Sequence, residues 1–232
     1  MKPYRHLLFD IDNTLLDFTR AEHDAMLDAL RRFGFPADER IISVYSRIND
    51  EHWKMLERGQ IDRATLLWRR FEVLGDVEGL TGMDPRAFSD AYVSALSQKS
   101  YLMDGALEIC TRLAKVYPLY GITNGNAVVQ HGRFDPSPLR PLFKASFISE
   151  EIGAAKPSQA FFDIVCRNVP DLDPAHTLVI GDSLTSDIAG GIRWGTDTCW
   201  VCHKAMAGKA LPDDCKATYV VTHLNELANI LL

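Results

Sequence analysis

Short apolar runs of strand length recur along this chain, and several of them stop at polar residues. They are Arg5–Phe9, Leu119–Ile122, Ala145–Ile148, Leu178–Ile180, Thr198–Val201 and Tyr219–Val221. Between the later runs lie segments with helical apolar spacing, such as Phe161, Phe162, Ile164 and Val165, or Ile188 and Ile192. Strands alternating with helices argue for a parallel sheet covered on both faces. The expected fold class is α/β, with a doubly wound, Rossmann-like parallel-sheet core. Such sheets place a ligand beyond the carboxyl ends of their strands.

One section breaks the alternation. Residues 17–100 contain no convincing strand, only successive helical patterns, a stretch of roughly eighty residues where a connection needs far fewer. Gly34 is a plausible stop for the first helix, and Asp84 with Pro85 reads as the N-cap and first position of the last. The expected organisation is a catalytic core of residues 1–16 and 101–232, with an inserted α-helical cap of residues 17–100. The loop RFDPSPLRPLF, rich in proline, is expected to be extended and irregular.

At 232 residues, 47% hydrophobic and 24% charged, the chain has the composition of a folded globular protein. Its formal charge of −6 argues against a nucleic-acid polymer as partner, because displacing counterions takes a basic face. A small phosphorylated metabolite needs only a few local cations and a metal. The opening MKPYRHLLFDI does not read as a signal peptide, and no run approaches a membrane span. Five irregularly spaced cysteines suit free thiols in a reducing compartment. A cytoplasmic location is expected, and the oligomeric state is left open.

The strand exits carry the chemistry. The first run leads into Asp10 and Asp12, the second into Thr123-Asn124-Gly125. The third is followed by Lys156-Pro157, and the fourth by Asp182 and Asp187. A parallel sheet brings all four exits to one edge, which gathers four carboxylates, a hydroxyl, a glycine turn and a lysine. Each type has work to do on a phosphate ester. A carboxylate can attack phosphorus, and a neighbouring acid held neutral can donate to the leaving oxygen. Carboxylates from Asp182 and the Asp10 region suit Mg²⁺. Thr123, the following backbone N–H groups and Lys156 can neutralise phosphoryl oxygens. Monoester hydrolysis asks for enhancements near ~10²¹, beyond any single acid.

DIDNT, TNG, AKP and GDSLTSD, in this order and each at a strand end, resemble the four signature motifs of the haloacid-dehalogenase superfamily. The helical insert resembles its C1-type cap. The resemblance implies Asp10 as nucleophile and Asp12 as general acid/base, the latter also reaching the metal through its backbone carbonyl. It implies Thr123, Lys156 and the Asn124 backbone N–H as phosphate ligands, Asp182 as an Mg²⁺ ligand, and Asp187 as support for the metal site. ISEEIGAAKPSQAFFD and GDSLTSDIAGGIRWGTDTCW look most like a subgroup of nucleotidases acting on pyrimidine nucleoside 5′-monophosphates. Asn13 stands where many relatives carry glycine, and Asp104 where a proline is common. The alternatives are a sugar-phosphate phosphatase, a phosphomutase and, less favoured, a 2-haloacid dehalogenase.

Other features read as structural. Cys199 and Cys202 have CxxC spacing, but residues three apart on a strand face opposite ways and no second pair exists. Trp53, Trp68, Phe71 and Phe18 could stack on a base, although aromatic residues at helical spacing usually form core. His131 and His203 carry no partner signal.

Overall fold

A computed structural model of the chain describes residues 3–202 and 215–232. His203 therefore lies outside the described residues. Six parallel strands form one sheet: β1 (His6–Asp10), β2 (Leu119–Thr123), β3 (Phe143–Ile148), β4 (Thr177–Gly181), β5 (Asp197–Val201) and β6 (Tyr219–Val221). Their order across the sheet is β3-β2-β1-β4-β5-β6. All six expected runs are strands, Tyr219–Val221 with the same ends and the others with an end moved by one or two residues.

The alternation of side chains along these strands explains the two covered faces. Leu7 and Phe9 of β1, Leu119 of β2, and Leu178 and Ile180 of β4 belong to one buried cluster. Leu8, Ile122 and Val179 belong to the other. Among the helices after the first strand, α5 (Ala106–Leu113) packs on the first face through Ile109, Cys110 and Leu113. On the second, α8 (Gln159–Asn168) contributes Phe161, Phe162 and Val165, and α9 (Ala189–Trp194) contributes Trp194. Two short helices, α6 (Ala127–Phe134) and α7 (Ser149–Ile152), follow β2 and β3, and α10 (Leu227–Leu231) ends the chain. A one-residue slip in any of these strands would exchange its two sets of side chains and spoil the packing of both clusters.

The chain divides into two compact units, one of Met1–Phe18 with Ser100–Leu232 and one of Thr19–Lys99. The second holds α1 (Phe18–Arg32, from its second residue), α2 (Glu39–Glu57), α3 (Arg63–Glu78) and α4 (Pro85–Leu96). Its helices start where short acids can cap them. Asp38 accepts from Arg40 N, Asp62 from Thr65 N, and Asp84 from Arg86 N with Pro85 at the first position. Its core is aromatic: Tyr45 stacks on Phe71 with ring centres 5.2 Å apart, and Phe88 and Tyr92 close around Phe71. Glu22 is buried against Ser46 Oγ (2.8 Å) and Asn49 Nδ2 (2.7 Å), and Arg70 donates to Asn49 Oδ1 at 2.6 Å. Trp53 and Trp68 each carry an arginine over one ring face, Arg63 and Arg86 respectively.

Two expectations need correction. The proline-rich loop is not extended: Ser137 N bonds to Phe134 O, Arg140 N to Ser137 O, and Arg140–Leu142 forms a 3₁₀ turn. Proline fixes φ near −65°, which suits turns and first helical positions as well as extended chain. His131 has partners after all, Asp135 Oδ2 at 2.8 Å and Glu151 Oε1 at 2.7 Å. Cys199 and Cys202 lie in different buried clusters. No helix of the described residues is long and apolar enough to cross a membrane.

Candidate active site

Asp10 is the last residue of β1, Thr123 the last of β2 and Gly181 the last of β4. Because β1 lies between β2 and β4, these three exits adjoin on one edge of the sheet. Asp10 pairs in register with Ile122, so Thr123 lies one residue beyond it on the neighbouring strand. The direction of strand order reverses at β1, which is where a doubly wound sheet opens a crevice.

Lys156 ties the edge together. Its ammonium is buried and donates to Asp10 Oδ1 at 2.6 Å, Asp187 Oδ1 at 2.7 Å and the Ile122 carbonyl at 3.0 Å. All three of its protons thus have acceptors. Burial alone would pull the lysine pKa down, but the Asp10 and Asp187 charges outweigh it and hold the pKa above the usual range. The lysine is delivered by a loop, and the Asn124 amide fixes that loop. Asn124 Nδ2 donates to Lys156 O at 2.8 Å, and Asn124 Oδ1 accepts from Lys156 N at 2.9 Å. Thr123 Oγ1 accepts from Gly125 N at 2.9 Å, shaping the turn that follows β2.

Asp10, Asp182 and Asp187 each offer an oxygen within 4.8 Å of the others. Burial and the charge of Asp187 raise the Asp10 pKa against the pull of Lys156, and Asp182 adds to the rise. Burial and Asp187 likewise push Asp182 up to about 7. Three carboxylates against one ammonium leave an excess of two negative charges when all are ionised. Hard oxygen donors at this spacing, carrying that excess, fit Mg²⁺. Asp187 is held by the backbone of a π-helical turn, Leu184–Ile188, its Oδ2 accepting from Ser183 N at 3.1 Å. Trp200 Nε1 donates to Asp182 O at 2.7 Å and fixes the turn from the other side.

The Asp12 carboxylate stands outside that trio. Gln130 Nε2 donates to its Oδ2 at 2.5 Å, and Arg133 forms an ion pair with its Oδ1. Asn13 beside it has φ +55°, a left-handed conformation that asparagine and glycine tolerate best. Thr14 Oγ1 donates to Asp10 Oδ2 at 3.2 Å. The chain then turns sharply, with Leu15 N and Leu16 N both bonded to Ile11 O.

Every expected site residue therefore lies at this one sheet edge. Sequence reading overlooked Thr14, Gln130, Arg133 and Ser183. The first and last were visible as hydroxyl residues within the motifs. Gln130 and Arg133 gave a fainter signal, two polar residues three apart on the helix that follows TNG.

Comparison with known proteins agrees with the geometry. A sequence profile of haloacid dehalogenase-like hydrolases matches residues 4–195. The HAD-hydrolase YfnB of Bacillus subtilis is 36% identical over all of this chain and 97% of its own length. Its magnesium-bound crystal structure superposes with a TM-score of 0.92, covering 99% of each chain. The pyrimidine 5′-nucleotidase PynA of Streptococcus pneumoniae is 36% identical over 85% of this chain and 83% of its own. The pyrimidine 5′-nucleotidase YjjG of Escherichia coli is 29% identical over 97% of this chain and 96% of its own. With the sheet order, the four motifs and these likenesses in agreement, the chain belongs to the haloacid dehalogenase-like hydrolase family.

Proposed function

We propose that this protein is an Mg²⁺-dependent phosphatase that hydrolyses pyrimidine nucleoside 5′-monophosphates through an aspartyl-phosphate on Asp10. The observation that carries the reading is the convergence of Asp10, Lys156, Asp182 and Asp187, with Thr123 on the adjoining strand end. The substrate class draws on the likeness to PynA and YjjG.

In the first half-reaction an Asp10 oxygen attacks phosphorus while the bond to the leaving alkoxide breaks. Asp12, protonated, gives that oxygen its proton. In the second half, Asp12 takes a proton from water as the water oxygen attacks phosphorus and the bond to Asp10 breaks. Thr123 Oγ and the Asn124 N–H hold the phosphoryl oxygens throughout, and the Lys156 ammonium beside Asp10 offsets their charge. Asp10, Asp182 and the Asp12 carbonyl would hold Mg²⁺, with Asp187 in support. When bound, Mg²⁺ supplies positive charge to the phosphoryl oxygens. Lys156 opposes the rise that burial and Asp187 cause in the Asp10 pKa, and so favours the ionised form that attacks. In this reading the helical unit is the cap and carries the choice of leaving group.

The test is a phosphate-release screen of nucleoside monophosphates and sugar phosphates with Mg²⁺, run beside Asp10→Asn. Release from uridine or thymidine monophosphate, abolished by chelator and by Asp10→Asn, is expected. A sugar phosphate as best substrate would replace the substrate class. Turnover of a 2-haloacid undiminished by chelator would overturn the phosphatase reading itself.

A further inference from the structure

Gln130 and Arg133 lie one turn apart on α6, with 1% and 0% of their surface exposed. Long polar side chains are seldom buried this completely without partners, and a guanidinium in particular needs an anion beside it. Both face Asp12, and they divide its carboxylate between them. Arg133 takes Oδ1 and Gln130 takes Oδ2. The two donors are themselves fixed. The Arg133 guanidinium lies over the Phe18 ring at 5.3 Å, and its carbonyl accepts from Ser100 Oγ at 2.6 Å. Phe18 and Ser100 are the residues at which the chain leaves and returns to the sheet-bearing unit. Gln130 is packed against Gly125 so closely that a Cβ on the glycine would fall 2.2 Å from Gln130 Nε2. The glycine of TNG thus makes room for a side chain that reaches Asp12.

We propose that Gln130 and Arg133 are positioning residues for proton transfer, holding the Asp12 carboxylate by one oxygen each. This rests on the reading of Asp12 as the acid and base of a phosphatase. A carboxylate oxygen has two acceptor sites, so each Asp12 oxygen keeps one for the leaving group or the attacking water. Neither Gln130 nor Arg133 exchanges a proton in the cycle. Their work is to fix the two torsions that aim Asp12, and a misplacement of about 1 Å costs on the order of 10²-fold in rate.

The variants are Gln130→Leu, Arg133→Ala and Arg133→Lys, measured beside wild type and Asp12→Asn. Steady-state turnover is measured on an alkyl phosphate that the wild type hydrolyses, and p-nitrophenol release from p-nitrophenyl phosphate is followed before steady state. The aryl leaving group needs no proton, so attack by Asp10 proceeds without Asp12, whereas hydrolysis of the aspartyl-phosphate still requires it. The expected result is a kcat on the alkyl ester lower by about 10-fold in Gln130→Leu and about 10²-fold in Arg133→Ala, with KM within about threefold. The p-nitrophenol burst should keep its wild-type rate while the following steady state slows. Arg133→Lys should recover part of the loss, because it restores the charge without the fork. Should Arg133→Ala fail to fold, Gln130→Leu and Arg133→Lys decide. Burst and steady state falling together would show a merely structural role and overturn the proposal. Unchanged turnover in these variants, with Asp12→Asn inactive, would overturn it and leave the phosphatase reading standing. A fully active Asp12→Asn would remove both.

Discussion

Gly181→Ala offers the sharpest perturbation of the site, because the side chain it adds is a single methyl group. Gly181 is not among the glycines with positive φ, so alanine suits its backbone and any effect is steric. The new Cβ would stand 2.3 Å from Asp187 Oδ2 and 2.4 Å from its Cγ, where ordinary contact begins at 3.4 Å. Asp187 must retreat by about 1 Å, the difference between those distances. Its carboxylate is not a loose end: Oδ1 takes Lys156 Nζ at 2.7 Å and Oδ2 takes Ser183 N at 3.1 Å. Retreat stretches both bonds beyond useful length. Overpacking of this kind costs about 1–3 kcal/mol. For a chain of this size that lowers the melting temperature by about 2–12 °C. Turnover should fall on the order of 10²-fold, since the cation shared with Asp10 moves too. Gly121→Ala is the control. Its Cβ meets Ile11 Cδ1 at 3.2 Å and Ser146 Cβ at 3.3 Å, which can yield by a few tenths of an ångström. Calorimetry and phosphate release on the two variants check this. Wild-type melting and turnover in Gly181→Ala, or equal losses in both, would refute the reasoning.

Lys156→Met leaves Asp10 and Asp187 without their shared cation. It should destabilise by about 3–5 kcal/mol, read from urea unfolding, and turnover should become undetectable. Asp182 titrates in the fold at about 7, above its ordinary 3.8, so its contribution to stability is whole at low pH and is lost as pH rises through about 7. Mg²⁺ binds the ionised carboxylates, so its stabilisation grows between about pH 6 and about pH 8. At ~100 times Kd it reaches about 2.7 kcal/mol, and equal thermal shifts at the two pH values would contradict the assignment. His131 has its pKa raised by hydrogen bonds to Glu151 and Asp135. That pairing stabilises fully below the ordinary imidazole value of 6.5 and fades as pH rises through the raised one, and an NMR titration of Glu151→Gln should bring the pKa down.

How far the sequence could be read depended on whether structure was decided locally. The strands were legible because each is a compact apolar run, and the first four are followed by the polar residues expected of a ligand edge. The helical unit was legible because Asp84 and Pro85 announce a helix start without help from elsewhere. The partners of Asp12 were not. An eight-residue helix with Val129 and Phe134 buried leaves Gln130 and Arg133 free to face either way by pattern alone. Only the placement of β1 beside β2 turns that face towards Asp12, more than a hundred residues earlier in the chain. His131 shows both cases at once: Asp135, four residues along the helix, was within reach of helical spacing, but Glu151 arrives from another strand exit.

The same distinction explains why Asn124 has a second use that its motif does not reveal. Asp10 and Thr123 end strands, so the sheet's ladder fixes where they point. Lys156 has no ladder, since it follows the short helix after β3 and a glycine turn at Gly153. A lysine on a free loop would scatter its charge over several ångströms and lose the contacts at 2.6 and 2.7 Å that hold Asp10 and Asp187. The Asn124 side chain supplies the missing ladder by pairing with both the N–H and the C=O of Lys156, as a neighbouring strand would. The residue type follows from that role, because an amide offers a donor and an acceptor side by side and aspartate offers only acceptors. Motif spacing therefore names the residues of the edge, but the cation at its centre stays in place through a side chain acting as backbone.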